Sequence, residues 1–453
     1  MQIKGRFLKG FLLTLILTLI PVMAFSAQKV SSGTTCKVYK QKATYQNKVF
    51  TCIKSGKKLV WNKGVSLSKP KPTPPASATP DASGDPIGAI GGTPTPTKSA
   101  APFVAKIPIA LPVLQSTDPN AITFTNVMSH ISEIPRTAWQ KVQDVIASSN
   151  ASTVKHDTYI GPNTQLSIAG GIVGIDSILE RATKLWAGFT LTKYFSLVYY
   201  NVTDEKWAEQ KTQEIWKANG YAPETIGGAL HALEISCQNQ SGPGVGGTAL
   251  GFCRGADAGA VTNSDNSFIQ KAEGDIERPD TSGSILVHEF THTVQSAQWI
   301  GNANCRNEGN NCSRTGLAHD FAPCWINEGQ PNGINIMVAH SDFSAYMANR
   351  PAGKDTSQKI TDFSANSLRN YLYDQNPATC YRNGALYQLG FGIGALAVEA
   401  LVAISGPQAT MALFALGAEG QDFPTAFQNV YGISWSEASI ILSKVLEAEY
   451  VNK

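Results

Sequence analysis

Residues 288–292 read HEFTH, inside the longer stretch SGSILVHEFTHTVQSAQWIG. Two histidines four apart on a helix stand about 6 Å apart along its axis, one turn, so both imidazoles can reach a single ion. Glu289 lies about 100° round the same helix, outside the coordination shell but within reach of a water beside that ion. Such a set activates water, and zinc is the metal it suits. The chain has only 7 histidines, and a chance HExxH is expected in roughly one such sequence in a few hundred.

Zinc that activates water needs a third protein ligand and an open fourth position. Two residues offer themselves, Glu328 in CWINEGQ and His319 in LAHD; carboxylate and imidazole are both zinc ligands. A metzincin pattern would require Gly at 295 and His at 298, and the chain has Gln295 and Gln298, so that class is excluded.

The surrounding elements must hold these groups in place. SILVHEFTHTVQSAQ has helical period: Leu286, Phe290 and Val294 can face the interior while His288 and His292 share another side. TAWQKVQDVIASS and DEKWAEQKTQEIWKANG also read as helices, the second stopping at Gly220. YFSLVYY reads as a strand, and GADAGAVTNSD as another near the site. After about residue 383 the pattern is mainly helical. The run ALYQLGFGIGALAVEALVAISG is apolar enough to imitate a membrane span, but Glu399 interrupts it and its glycine spacing suits close packing, so it reads as a buried helix.

VHEFTHTVQ, then WINEG, then YQLGFGIGALAVEAL with the later FPTAFQNVYGISWSEA, resembles the peptidase-MA-like metallopeptidases, the gluzincins related to thermolysin, over about residues 190–450. The resemblance implies an α+β fold of gluzincin type, a mixed sheet with active-site helices followed by a mainly helical subdomain. It implies His288, His292 and Glu328 as zinc ligands and Glu289 as general base. It also implies Tyr387, in ALYQLG, as the donor to the developing oxyanion, with Tyr381 and Arg382 as alternatives. The chain departs from the pattern in one respect: 35 residues (293–327), Cys305 and Cys312 among them, separate His292 from Glu328. This reads as a disulfide-held insertion. The absence of a GxMEN-like segment favours an endopeptidase over an aminopeptidase.

The ends of the chain differ in charge. Residues 1–102 carry 15 Lys/Arg against Asp81 and Asp85, a sum of +13, while residues 103–453 hold 22 basic and 32 acidic side chains, a sum of −10. The opening MQIKGRFLKGFLLTLILTLIPVMAFSA has a cationic start (Lys4, Arg6, Lys9), a short apolar run and small residues at Ala24 and Ser26, so residues 1–26 read as an export signal. The mature chain would then be secreted or associated with the cell envelope, with no transmembrane span. Residues 27–67 read as a small basic β module with a turn at Ser55-Gly56, stapled by one disulfide. It resembles short lysine-rich modules ending in GKKLVW in exported actinobacterial proteins. An anionic cell-envelope polymer is its expected partner, with a solvated basic spacer as the equal alternative. Residues 68–102 are a Pro/Thr/Ser-rich linker, which leaves residues 103–453 as the metallopeptidase domain with a peptide or protein as substrate. The alternatives are a non-catalytic envelope-binding protein that keeps the fold and a zinc hydrolase of a non-peptide bond.

Export also accounts for the eight cysteines, read by proximity as Cys36–Cys52, Cys237–Cys253, Cys305–Cys312 and Cys324–Cys380. Other signals carry little. GPGVGG at 242–247 lacks a following helix, no serine has a G-x-S-x-G setting, and the basic module has no recognisable nucleic-acid fold. His130, His156, His231 and His340 lack ligand spacing, and Asn201-Val-Thr203 is a glycosylation sequon.

Overall fold

The computed structural model describes residues 32–36, 42–45, 48–56, 58–63, 65–66, 102–219, 255–260, 266–275, 278–302, 314–350, 361–373 and 389–451. The chain divides into two compact units, Met1–Thr97 and Lys98–Lys453, a division that falls inside the stretch read as linker. The expected signal segment lies outside the described residues, as do Gly220, His231, the 242–247 loop, Cys237, Cys253, Cys305, Cys312, Cys380, Tyr381, Arg382 and Tyr387.

In the first unit, β1 (Lys42–Tyr45), β2 (Lys48–Ser55) and β3 (Lys58–Trp61) form an antiparallel meander, and β4 (Val65–Ser66) also pairs with β2. The β2–β3 register closes at Ser55 opposite Lys58, across Gly56 at φ 61°, a backbone setting that favours glycine. Among the described residues its core is Phe50, Cys52 and Trp61, with Cys36 and Leu59 packed against them, a small apolar cluster of the kind that a staple supports. The Cys36–Cys52 disulfide supplies one.

The second unit is a mixed helix-and-sheet domain. Its sheet has the order β5 (Lys155–Ile160), β6 (Tyr194–Tyr200), β8 (Asn266–Ala272), β7 (Gly255–Ala260). β5, β6 and β8 run parallel, and β7 pairs antiparallel to β8. β6 coincides with YFSLVYY and is buried along nearly its whole length, as an inner strand covered on both faces should be. Phe195, Leu197 and Tyr199 join the main core, whereas Val198 and Tyr200 pack with Phe268 and Ala272 against Ile215 and Trp216. The latter two come from α3 (Glu205–Ala218). The opposite face is covered by α2 (Ile172–Leu185) and α4 (Ser284–Ala297), with α1 (Ile134–Ser148) packed against α2.

Helices follow: α5 (Arg314–Phe321), α6 (Cys324–Asn327), α7 (Gly329–Ala339), α8 (Phe343–Asn349) and α9 (Ala365–Tyr373). A single π turn at Gly390–Gly394 then opens α10 (Ala395–Ser405), followed by α11 (Pro407–Ala418), α12 (Phe423–Tyr431) and α13 (Trp435–Val451). Among the described residues no single helix is long and apolar enough to cross a membrane; α10 and α11 are bent by 106°. α10 is buried from Ala395 to Ile404, and Lys141 of α1 donates to the Ala403 and Ile404 carbonyls at its end, a favourable place for a cation.

Glu399, read from sequence only as a polar interruption, belongs to a buried ionic group. Arg350 donates to Glu399 (Nε–Oε1 2.8 Å) and pairs with Glu449 (Nη2–Oε1 3.2 Å), and Tyr346 donates its hydroxyl to Glu399. All four are at most 7% exposed, so each charge depends on its partners. The histidines without ligand spacing have ordinary roles: His130 contacts Glu133, His156 pairs with Asp176, and the His340 carbonyl accepts from Trp139. Asn201 of the sequon accepts from the Thr203 and Asp204 backbones and donates to the Asn163 carbonyl.

Candidate metal centre

α4 starts where Asp280 accepts hydrogen bonds from the backbone N–H groups of Ser284 (2.9 Å) and Ile285 (3.1 Å). A carboxylate there satisfies N–H groups that lack partners within the helix. The preceding Gly283 has φ 75°, and a Cβ on it would meet Ile168 at 2.6 Å and Ile178 of α2 at 3.2 Å, so its bareness lets α2 and α4 approach closely. Leu286, Phe290 and Val294 are at most 1% exposed, and Phe290 stacks on Phe195 of β6 at 5.1 Å. That anchorage turns His288 and His292 toward a cavity of about 430 Å³. Its walls include β7 residues Gly255–Ala258, Glu289 and Glu328, with Asn332 and Asn335 of α7 and Phe391 of the π turn.

The three ligand atoms form a nearly equilateral triangle: His288 Nε2 to His292 Nε2 3.2 Å, His288 Nε2 to Glu328 Oε2 3.5 Å, His292 Nε2 to Glu328 Oε2 3.3 Å. Donors about 2.0–2.1 Å from a tetrahedral centre stand about 3.3–3.4 Å apart. Two imidazoles and a carboxylate are also the donor chemistry of catalytic zinc rather than of the all-oxygen calcium or magnesium sites. Among the described residues this trio is the one group of His, Cys, Asp and Glu that could hold a metal ion. His319 of α5 lines the same cavity, its ring 6.5 Å from that of His292, but it is not in the converging trio.

Glu328 sits in helical conformation (φ −92°, ψ −33°) at the junction of α6 and α7, not one turn inside a single helix. Two features fix that junction. Cys324 is held in a disulfide, and Trp325 is fully buried, stacked on Trp435 at 5.2 Å.

Electrostatics divide the two histidines. Burial holds His288 below its ordinary value. His292 meets the same burial, but the Glu328 carboxylate, its hydrogen bond and Glu289 outweigh it and raise His292 to about 9. For Glu328 burial is likewise overcome, here by His292 and by hydrogen bonds from both histidines, which hold it well below the carboxylate range. Burial pushes Glu289 up to about 8, helped by the charges of Asp257 and Glu328 against that of His292. His319 is lowered by burial to about 4 and is therefore a neutral imidazole at neutral pH.

Sequence reading missed several supports. Gln295, noted only as a departure from the metzincin pattern, accepts from His292 Nδ1 (2.9 Å) and donates to the Asn327 carbonyl (3.1 Å) and to Gln330 (2.8 Å). Gln330 donates in turn to Thr410 of α11 at 2.8 Å. Its spacing of three from His292 was the available signal, since i and i+3 share a helix face. Gln298, the other departure, donates to the Thr190 and Val294 carbonyls. Phe391 stacks on His288 at 5.7 Å, and Asp257 of β7 adds a third carboxyl to the cavity, raised by burial to about 6. Compared with known proteins, the chain matches no family model, no curated protein and no solved structure.

Proposed function

We propose that this chain is an exported zinc-dependent metallopeptidase of gluzincin type, hydrolysing internal peptide bonds of a protein or peptide substrate. The observation that carries the reading is the ligand triangle of His288, His292 and Glu328 in one cavity with Glu289. The residues quoted from sequence for the gluzincin resemblance add to it. When bound there, zinc would supply Lewis acidity and bring the pKa of water toward neutrality.

The chain's own groups divide the remaining work. Held ionised by the charge of a metal in the site, Glu289 would accept the proton of the attacking water and deliver it to the departing amine. Gln295 keeps the Nδ1 proton of His292 engaged, so Nε2 faces the cavity as a lone-pair donor. His319, neutral and in the same cavity, can donate an N–H to the developing oxyanion. Tyr387 holds that role in the resemblance. β7 is the last strand of the sheet among the described residues, and its backbone lines the cavity. An extended substrate can therefore lie along it as an added strand, which favours an endopeptidase.

The test compares the purified full chain with Glu289→Gln for zinc content and for hydrolysis of denatured casein. One zinc in each and cleavage by the parent alone supports the proposal. Zinc without cleavage across a broad peptide library would move the reading to a binding protein that keeps the site, and no zinc in either protein would end it.

A further inference from the structure

The second unit holds a further cavity besides the metal cavity. It has about 890 Å³ and shares one wall with the metal cavity, helix α5. His319 of α5 lines the metal cavity, whereas Leu317, Asp320 and Phe321 line the larger one. Pro323, immediately before the α6 segment that leads to Glu328, lines it too.

Its lining follows a consistent chemistry. Five aromatic rings form a continuous cradle: Trp299 to Phe321 at 6.0 Å, Phe321 to Phe423 at 6.0 Å, Phe423 to Trp435 at 5.4 Å, and Tyr373 stacked on Trp435 at 6.5 Å. Gly417 extends the cradle, because a Cβ there would meet the Phe321 ring at 2.6 Å. The rim holds two carboxylates, Asp320 and Asp422, and none of the described lining residues is basic. Most of the other polar groups are already engaged within the fold. Ser434 donates to Glu437, Gln421 accepts from Asn429, Asn302 donates to the Ala418 carbonyl, and one Asp422 oxygen caps α12 through Thr425. An anionic ligand would face these two like charges and no basic group among the described lining residues; Arg369, outside the lining, already stands over the Tyr373 ring at 5.0 Å. Aromatic faces attract apolar surface and cations alike, and the two carboxylates select between these in favour of a cation beside an apolar group.

We propose that this cavity is a second binding site, separate from the metal centre, for a peptide segment that presents an aromatic or large aliphatic side chain next to a lysine or arginine. The apolar side chain enters the cradle and the cation meets Asp320 and Asp422 at the rim. A protein substrate bound there would be held against α5, on the side of that helix away from His319. The site itself does not depend on the metallopeptidase reading, since its lining includes none of the trio or Glu289.

The probes are blocked dipeptides: N-acetyl-Phe-Arg-amide, its Phe-Glu and Gly-Arg counterparts, and a neutral oligosaccharide as control. Binding is followed by calorimetry and by the emission of the cavity tryptophans. The proteins are the full chain carrying Glu289→Gln, to prevent cleavage, and the same chain with Asp320→Lys or Tyr373→Ala. Both added changes are at exposed positions, so the fold should survive them. Phe-Arg should bind at least about tenfold more tightly than either counterpart, and each added substitution should weaken it about tenfold. Equal affinities for the three peptides, preference for the oligosaccharide, or no binding would overturn the proposal. So would binding that His292→Ala abolishes and both cavity substitutions leave unchanged, since the peptide would then occupy the metal cavity.

Discussion

Glu289→Gln should make the metal-free chain more stable while removing its proposed activity. The Glu289 carboxyl has an ordinary value of 4.5 and stands at about 8 in the folded chain, with burial the principal cause. For an acid raised by folding, the penalty is absent below 4.5, because both states are then protonated. It grows as pH rises through the interval in which only the unfolded chain ionises, and it is complete above about 8. At pH 7 this amounts to on the order of 3 kcal/mol of lost stability. A glutamine of the same shape never ionises and escapes the penalty. For a domain of this length, 3 kcal/mol corresponds to a Tm rise of about 4 °C. Scanning calorimetry of the chelator-treated parent and variant at pH 4.5, 7 and 8.5 tests this: little difference at the lowest pH, a variant advantage that widens upward, and a smaller advantage once zinc is added. An advantage independent of pH, or a variant less stable at pH 8.5, would refute the argument that Glu289 is held against its tendency to ionise.

The other expectations concern the ligands and their supports. Glu328→Ala should lower zinc affinity by at least about a hundredfold while His319→Ala leaves bound zinc unchanged, measured by competition with a chromophoric chelator; the opposite ranking would make His319 the third ligand. Gln295→Leu removes the acceptor of the His292 Nδ1 proton and should cost about 10–100-fold in zinc affinity, and a variant that binds zinc as the parent does would remove Gln295 from the site. Arg350→Leu leaves Glu399 and Glu449 buried without their cation and should destabilise the domain by about 3–5 kcal/mol in urea unfolding. Adding Glu399→Leu should recover much of that loss, and no recovery would mean the arginine acts through packing instead.

What could be read from sequence was what depends on near neighbours. The periodicity of residues 137–149, 194–200 and 284–298 is set by which side chains recur on one face, and these fall on α1, β6 and α4. The HExxH geometry is equally local, since one helical turn fixes it. Contacts between residues far apart in the chain were not readable. Nothing near Glu399 announces Arg350, 49 positions away, and nothing near Gln330 announces Thr410, 80 positions away. The π turn was missed for another reason. Its sequence, GFGIG, has no side-chain pattern that distinguishes a widened turn from a regular one. What does mark the turn lies across the interface, where Gly394 would place a Cβ 2.1 Å from the Trp325 carbonyl.

That interface also explains how a carboxylate so far along the chain is brought to two histidines on α4. Glu328 is fixed less by its own helix than by the glycines facing it. A Cβ on Gly390 would meet the Glu328 Cβ at 2.7 Å, and one on Gly329 would meet the Gly394 backbone at 2.4 Å. A Cβ on Gly333 would meet the Ala395 carbonyl at 2.9 Å. At Gly329, Gly333 and Gly394 backbone therefore lies against backbone, while Gly390 leaves room for the Glu328 side chain itself, so the depth of α6 and α7 against the π turn is set largely by main-chain atoms, which yield far less than side chains. A metal site tolerates ligand displacements of only about 0.2 Å, so a seam built mainly of main-chain contacts is a physically suitable way to hold its third ligand. The same seam carries Phe391 over His288 and, through Asn332, ties α7 to the Phe391 carbonyl. The helical part after residue 389 is thus, through Phe391, a wall of the cavity as well as a core.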